Sequence, residues 1–334
     1  LTTTSTRSDA GVAVTADAVL DTAPAPTRRR RLGKKKPAAA GPSDERGIIS
    51  TNEWSRRGIR RSANGIQITL LVLLAIGGLG PILWLAKAAI TPTQDTLRTP
   101  MALFPNGFAW DNVSKAWTTI GLDVQFMNTV WVALGVLVMQ LVVTMTAGYV
   151  LAILKPAYAK VLNALVLATL FVPSVVLLVP LYLTILDVPF LGISLQNTFW
   201  AVWLPAGANA FNILLVKRFF ENLPPEIFEA ARTEGAGSFR IFWQIVLPLS
   251  KPIIGVVSVF AVIAAWKDFL WPKLVLALPE VQPLSVRLPQ LQQTIDLGTY
   301  LAALAISTLV PIVLFIIFQG LFLKSAGMGG AVKG

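Results

Sequence analysis

The chain contains no cysteine and no histidine among its 334 residues. The first absence removes disulfides and thiol chemistry, and the second removes the imidazole base and the usual ligand of zinc and haem sites. Charge is scarce too: 13% of residues are charged against 54% hydrophobic, and the mean hydropathy is +0.67. Ordinary soluble domains do not have that composition. No Gly-x-x-x-x-Gly-Lys-Ser/Thr phosphate loop occurs, because Gly33-Lys34 lacks both the upstream glycine and the following hydroxyl residue. The chain is therefore not expected to bind and split ATP itself. Serine and metal-dependent intramembrane proteases need histidine, and no Gly-x-Gly-Asp segment serves an aspartyl one. No catalytic residue, cofactor or metal site is expected, and the chain reads as a membrane protein that is not an enzyme.

What is present is apolar and long. Mainly apolar runs of the length that crosses a bilayer lie near Ile66–Ala86, Phe126–Leu154, Val161–Leu186, Asn197–Phe219, Pro252–Leu276 and Ala302–Leu323, which makes six expected spans. Hydrocarbon offers backbone groups no partner, and no period-2 barrel alternation is seen, so the expected fold is an all-α membrane protein of six transmembrane helices. Lysine and arginine flank these runs on one side: Arg56, Arg57, Arg60 and Arg61 before the first, Lys155 and Lys160 after the second, Lys217 and Arg218 after the fourth, Lys324 and Lys333 after the last. Cytoplasmic flanks are enriched in such residues. The reading is a multi-pass protein of the cell membrane with both termini cytoplasmic.

Residues 1–62 differ from the remainder of the chain. Ser, Thr, Ala, Pro and Asp lead into Arg28–Arg31 and Lys34–Lys36, with no apolar periodicity to bury. A disordered basic cytoplasmic tail is expected, acting as spacer and topology determinant with attraction to anionic membrane lipids as its further role. This tail accounts for much of the net charge of +11, so the basic balance does not point to nucleic acid. No signal peptide is expected, since no apolar segment comes within the usual distance. A six-span domain over 63–324 and a short cytoplasmic tail over 325–334 complete the expected organisation.

One polar interval, 221–250, stands between two apolar runs. Pro224 and Pro225 suit a first helical turn, and Glu226 and Glu229 place negative charge at its positive dipole end. A helix is expected from about Pro225 to Glu234, interrupted by Gly235 and Gly237, one of which closes it in the left-handed conformation. Ser238 is expected as the N-cap of a second helix carrying Phe239, Phe242 and Val246 on one face, with Pro248 ending it. The product is a hairpin with one greasy and one charged face.

Glu229-Ala230-Ala231, Gly235, Ile245, Leu247 and Pro248, with Glu234 where Asp is common, resemble the Glu-Ala-Ala signature of membrane subunits of binding-protein-dependent ABC importers. Trp266-Lys267-Asp268-Phe269-Leu270-Trp271-Pro272 is similar to the W-N-E-F-L-W-P stretch of carbohydrate-importer permeases, with Lys267 for the usual asparagine and Asp268 for the usual glutamate. The ending Gly330-Ala331-Val332-Lys333-Gly334 looks like that of maltose-type second permeases. The resemblance implies a coupling helix at Glu229, Ala230, Ala231, Glu234, Gly235, Leu247 and Pro248 that sits in a cleft of a separate ATPase. It also implies a second homologous permease subunit, a cytoplasmic ABC ATPase dimer and an extracytoplasmic solute-binding protein as partners.

Polar residues within the runs are few. Asn209 and Asn212 are expected on one helix face, as are Gln140, Thr144 and Gly148, and each stripe reads first as helix-to-helix glue. Lys267 and Asp268 read either as an interfacial pair between the belt residues Trp266 and Trp271 or as a polar lining. Asn209, Asn212, Lys267 and Asp268 are the candidates for a translocation path. The rival reading, a secondary transporter or channel driven by an ion gradient, would require membrane-embedded carboxylates and internal repeats, and no convincing repeat is seen.

Overall fold

The computed structural model describes residues 57–328. Residues 1–56 and 329–334, which hold most of the expected amino-terminal tail and the Gly-Ala-Val-Lys-Gly ending, lie outside them. By its contacts the chain divides into Leu1–Gln67 and Ile68–Gly334. Of the first unit the described part is the opening stretch of helix α1 (Arg57–Ala89), so residues 57–62, expected in the tail, are helical.

Every regular element among the described residues is helical. Two short segments, α2 (Thr93–Arg98) and α3 (Asp111–Ser114), precede α4 (Leu122–Leu154), whose last turn is π-wound. Next come α5 (Ala159–Thr169), α6 (Ser174–Leu186), α7 (Trp200–Gly207), α8 (Ala210–Glu221) and α9 (Pro225–Thr233). They are succeeded by α10 (Ser238–Leu249), α11 (Lys251–Lys267), α12 (Leu270–Val275), α13 (Leu284–Leu291) and α14 (Leu297–Met328). The last helix thus continues past 325, where the expected organisation has a tail.

Among the described residues, two helices are long and apolar enough to cross a bilayer by themselves, Asn64–Ala89 within α1, and α4. Counting the bent pairs α5–α6 (107°) and α10–α11 (78°) as single spans raises the number to four, and α14 adds a shorter apolar stretch at Leu297–Val313. Three of the apolar runs expected as continuous helices are broken. Val161–Leu186 breaks between Thr169 and Ser174, where Pro173 fixes its own φ and drives the preceding residue out of the helical region. Asn197–Phe219 breaks at Ala208 (ψ 56°) and Asn209 (ψ 107°), just beyond Pro205. Pro252–Leu276 breaks at Asp268, whose ψ of 121° is extended.

Helix α4 is the hub, packing along α7, α8 and α11. Small residues allow the close approach: a Cβ at Gly135 would fall 2.0 Å from the Trp203 indole, and one at Gly148 would fall 2.6 Å from the Val216 side chain. Lipid is as apolar as leucine, so association inside a bilayer depends on such fit rather than on hydrophobic transfer. Val132 and Val136 of α4, Ala201 and Val202 of α7, Ala261 and Ala265 of α11, and Trp271 of α12 form one buried cluster. Trp271 Nε1 donates to the Ala201 carbonyl at 2.9 Å. The segment leading into α13 is tied to α4, with Asn128 Nδ2 donating to the Glu280 carbonyl at 2.7 Å and the Leu284 amide donating to Thr129 Oγ1 at 2.8 Å.

Candidate functional site

The hairpin 221–250 forms much as its turn chemistry dictates. Pro225 opens α9 at the position where a missing N–H costs nothing. Gly235 has φ +80°, and the Gly235 and Ala236 amides donate to the Arg232 and Ala231 carbonyls, both at 2.9 Å, closing the helix. A Cβ placed at Gly235 would meet nothing within 4 Å, so glycine is required there by backbone conformation alone. Glu234 is the residue at which the helix ends.

Three details of the second helix differ from expectation. Gly237, not Ser238, is the N-cap, because the first helical hydrogen bond runs from the Ile241 amide to the Gly237 carbonyl at 3.0 Å. Pro248 does not end the helix. A π-turn over Phe242–Val246 precedes it and the Leu247 amide reaches back to Phe242, so the helix runs on to Leu249 and bends at Ser250. The same π-turn sets the face: Ile241, Phe242 and Val246 are buried, while Phe239 is 77% exposed and packs against Trp243 instead.

Phe228, Ala231, Ile241, Phe242 and Val246 anchor the hairpin on Met145, Tyr149 and Ala152 of α4, Val216 and Phe220 of α8, and Ile253 and Val257 of α11. Tyr149 fixes its depth, its hydroxyl donating to the Ser238 carbonyl at 2.8 Å and its ring lying 5.1 Å from that of Phe242. Glu229, Ala230, Glu234, Gly235 and Pro248 are exposed, and Ile245 and Leu247 are half-buried. Ala231 faces inward with Phe228, so of the two alanines only Ala230 is available to an external surface. A cleft of about 270 Å³ beneath α9 is lined in part by Lys155, Glu221, Glu229 and Arg232. The Lys217 ammonium donates to Glu221 at 2.7 Å and holds that carboxyl below the usual carboxylate range, against a smaller opposing effect of burial.

A second feature lies where the broken helices meet. A cavity of about 540 Å³ is lined by residues at all three breaks: Ser174 at the start of α6, Ala208 and Asn209 between α7 and α8, and Lys267 and Asp268 between α11 and α12. Irregular backbone at membrane depth is tolerated where it lines such a space. Of the four path candidates, Asn209, Lys267 and Asp268 line this cavity and Asn212 does not. The two asparagines do not share a helix face either: Asn209 precedes α8 as its N-cap, its Oδ1 accepting the Asn212 amide at 3.0 Å. Asn212 is buried behind the wall, and its Nδ2 donates to Gln140 Oε1 at 2.8 Å. Gln140, which the sequence presents as glue, reaches the cavity. Its stripe partner Gly148 does serve packing, and Thr144 bonds only the Gln140 carbonyl of its own helix.

The Asp268 carbonyl accepts the Ser285 hydroxyl at 2.6 Å, tying the break to the start of α13. Trp266 and Trp271 are not interfacial belt residues. Both are buried, and the Trp266 indole donates to the Ser307 carbonyl of α14 at 3.2 Å. No cluster of metal-ligating side chains occurs among the described residues.

Comparison with known proteins gives these features a context. Residues 140–326 match the model of the binding-protein-dependent transport system inner membrane component. The arabinooligosaccharides transport system permease protein AraQ of Halalkalibacterium halodurans is 32% identical over 260 residues, covering 76% of this chain and 91% of its own. The diacetylchitobiose uptake system permease protein NgcG of Streptomyces coelicolor is 27% identical over 274 residues, covering 79% and 87%. Among solved structures, a chain of a bacterial ABC transporter involved in import of the acidic polysaccharide alginate superposes with a TM-score of 0.69 at 21% identity, over 79% of this chain and 98% of that one. The helical architecture is thus that of an ABC importer permease, and the chain belongs to the family of inner membrane components of binding-protein-dependent transport systems.

Proposed function

We propose that the chain is one of two homologous permease subunits of an ATP-driven importer for a carbohydrate, whether a sugar, an oligosaccharide or a glycerol phosphate. The hairpin is its handle. α9 and the turn that closes it present Glu229, Ala230, Glu234 and Gly235 to a cytoplasmic ATPase, while Phe228 and Ala231 tie the same helix to α4, α8 and α11. One observation carries this reading: the hairpin is fixed by an apolar face to the hub of the fold and leaves Glu229 and Glu234 exposed with no ion pair among the described residues. A rigid attachment of that kind transmits displacement, whereas a tethered loop would absorb it.

In the cycle we infer, a solute-binding protein delivers its load from outside. Closure of an ATPase dimer moves two coupling helices, one from each permease, and the attached helices open the path outward. Six spans with both termini cytoplasmic fit this scheme, with Lys155, Lys160 and Lys217 near the inner face. Leu247 and Pro248 shape the bend through which α10 passes force to α11. Asn209, Lys267 and Asp268 line the solute path, with Asn212 one layer behind. The family's own driver is ATP hydrolysis on a separate subunit, which leaves an ion-gradient mechanism without support. The test is co-purification. Glu229→Arg should lower recovery of the ATPase with the permease pair, and unchanged recovery would argue against a docking role.

A further inference from the structure

The cavity at the three helix breaks has a chemical character of its own, and a role for it in solute passage rests on the importer reading. Its wall carries one cation and one carboxylate, Lys267 and Asp268, together with the neutral polar groups of Gln140, Ser174 and Asn209, on an otherwise apolar surface that includes Trp271. The formal charge of those two groups sums to zero. Gln140 is 3% exposed, yet its Nε2 makes no hydrogen bond among the described residues and is not sealed off as a buried orphan. A carboxamide held in an apolar run with one end bonded and the other open to a cavity keeps a free donor that helix packing does not use.

We propose that Gln140 is a solute-contacting residue of the translocation path, that Asn212 is its positioning residue, and that the subsite they form takes a neutral, hydroxyl-bearing solute. Asn212 Nδ2 donates to Gln140 Oε1 at 2.8 Å, which turns the Gln140 amide end toward the cavity. Asn212 is in turn set by Asn209, whose side chain accepts its amide at the start of α8. A sugar hydroxyl both donates and accepts, so it satisfies a carboxamide in whichever sense the amide is turned. A carboxylate or phosphate only accepts, so it gains less from a carboxamide, and on this wall it would meet Asp268 as well as Lys267. Apolar surface between the polar groups matches the C–H faces of a sugar ring.

The experiment uses the complete importer, permease pair with ATPase and binding protein, in proteoliposomes. Uptake of arabinotriose, N,N′-diacetylchitobiose and an alginate disaccharide is measured beside ATP hydrolysis stimulated by the loaded binding protein. The binding protein sets the apparent KM, so a defect at an internal subsite should appear in the maximal rate. Gln140→Leu is expected to cut uptake of a neutral sugar at least ten-fold while complex yield and stimulated hydrolysis stay within two-fold of wild type. Gln140→Asn, which keeps the carboxamide and guards against misfolding of the leucine variant, should retain a third or more of the uptake. Asn212→Leu should lower uptake about three- to ten-fold with hydrolysis retained. Uptake unaffected by Gln140→Leu would overturn the proposal, as would loss of stimulated hydrolysis in parallel with uptake in both Gln140 variants, which marks a structural role. Import of the acidic probe alone by the wild type would overturn the assignment of solute class. Failure of the wild type to import any probe in an ATP-dependent way would instead count against the importer reading itself, and the subsite would fall with it.

Discussion

The hairpin and the cavity are built on opposite plans. The hairpin draws its turns from a single contiguous stretch, with Pro225 starting α9 and Gly235 at φ +80° ending it, and only its anchoring face depends on distant residues. The cavity draws on α4, α6, α7, α11, α12 and the break before α8, and no two of its breaks lie within the same stretch of chain. Under the proposed function, motion passed inward from the hairpin would enter through a pre-shaped element, whereas the cavity takes its form from how separate half-helices meet. A permease that must move as a body at one place and reshape itself at another gains from that division.

Four substitutions would break or sharpen this contrast, in descending order of effect. Gly135→Val puts a side chain where the Trp203 indole already lies, 2.0 Å from the first added carbon. Overpacking commonly costs about 1–3 kcal/mol and more where the neighbour is hemmed in, so this variant should fail to give monodisperse protein by size exclusion in detergent. Gly235→Val has no clash to relieve and carries only the left-handed backbone penalty, about 1–2 kcal/mol. It should insert and remain folded yet hydrolyse ATP without proportionate uptake, measured as the ratio of the two rates. Tyr149→Phe removes the hydrogen bond to the Ser238 carbonyl and should cost about 1 kcal/mol, seen as a lowered Tm with coupling weakened less than in the glycine variant. Glu229→Arg lies on an exposed position and should change stability by no more than about 0.5 kcal/mol while reducing ATPase recovery several-fold. If Gly235→Val and Tyr149→Phe left coupling untouched while cavity substitutions abolished it, the roles given to the two regions would have to be exchanged.

The same division explains which features are legible in the sequence. The helical class, the hairpin, its glycine elbow and the family emerge from apolar run length and from residues adjacent in sequence. The breaks do not, because run length reports hydrophobicity and not continuity of the backbone: Ala208 and Phe269 are as acceptable to lipid as their neighbours are. A signal is nonetheless present at one of them. Asn209 stands three residues before Asn212, the spacing at which a side chain caps a helix start, and it does so. Taken as a cap, it divides its run. Gln140 reads as glue, and half of it is, since one end of its amide holds Asn212. That its other end reaches a cavity depends on α6 and α11, which no local pattern near residue 140 encodes. Phe239 falls on the wrong face for a similar reason, because a π-turn changes the period on which a face is counted.

The central claim, that the hairpin is an inner-side handle gripped by a separate motor, is most directly tested by its accessibility. The chain has no cysteine, so Ala230→Cys introduces the sole thiol at an exposed position of α9. An impermeant maleimide should leave intact cells unlabelled and label inverted vesicles stripped of ATPase, and adding the ATPase back should protect the site. Labelling of the thiol from outside intact cells would contradict the account.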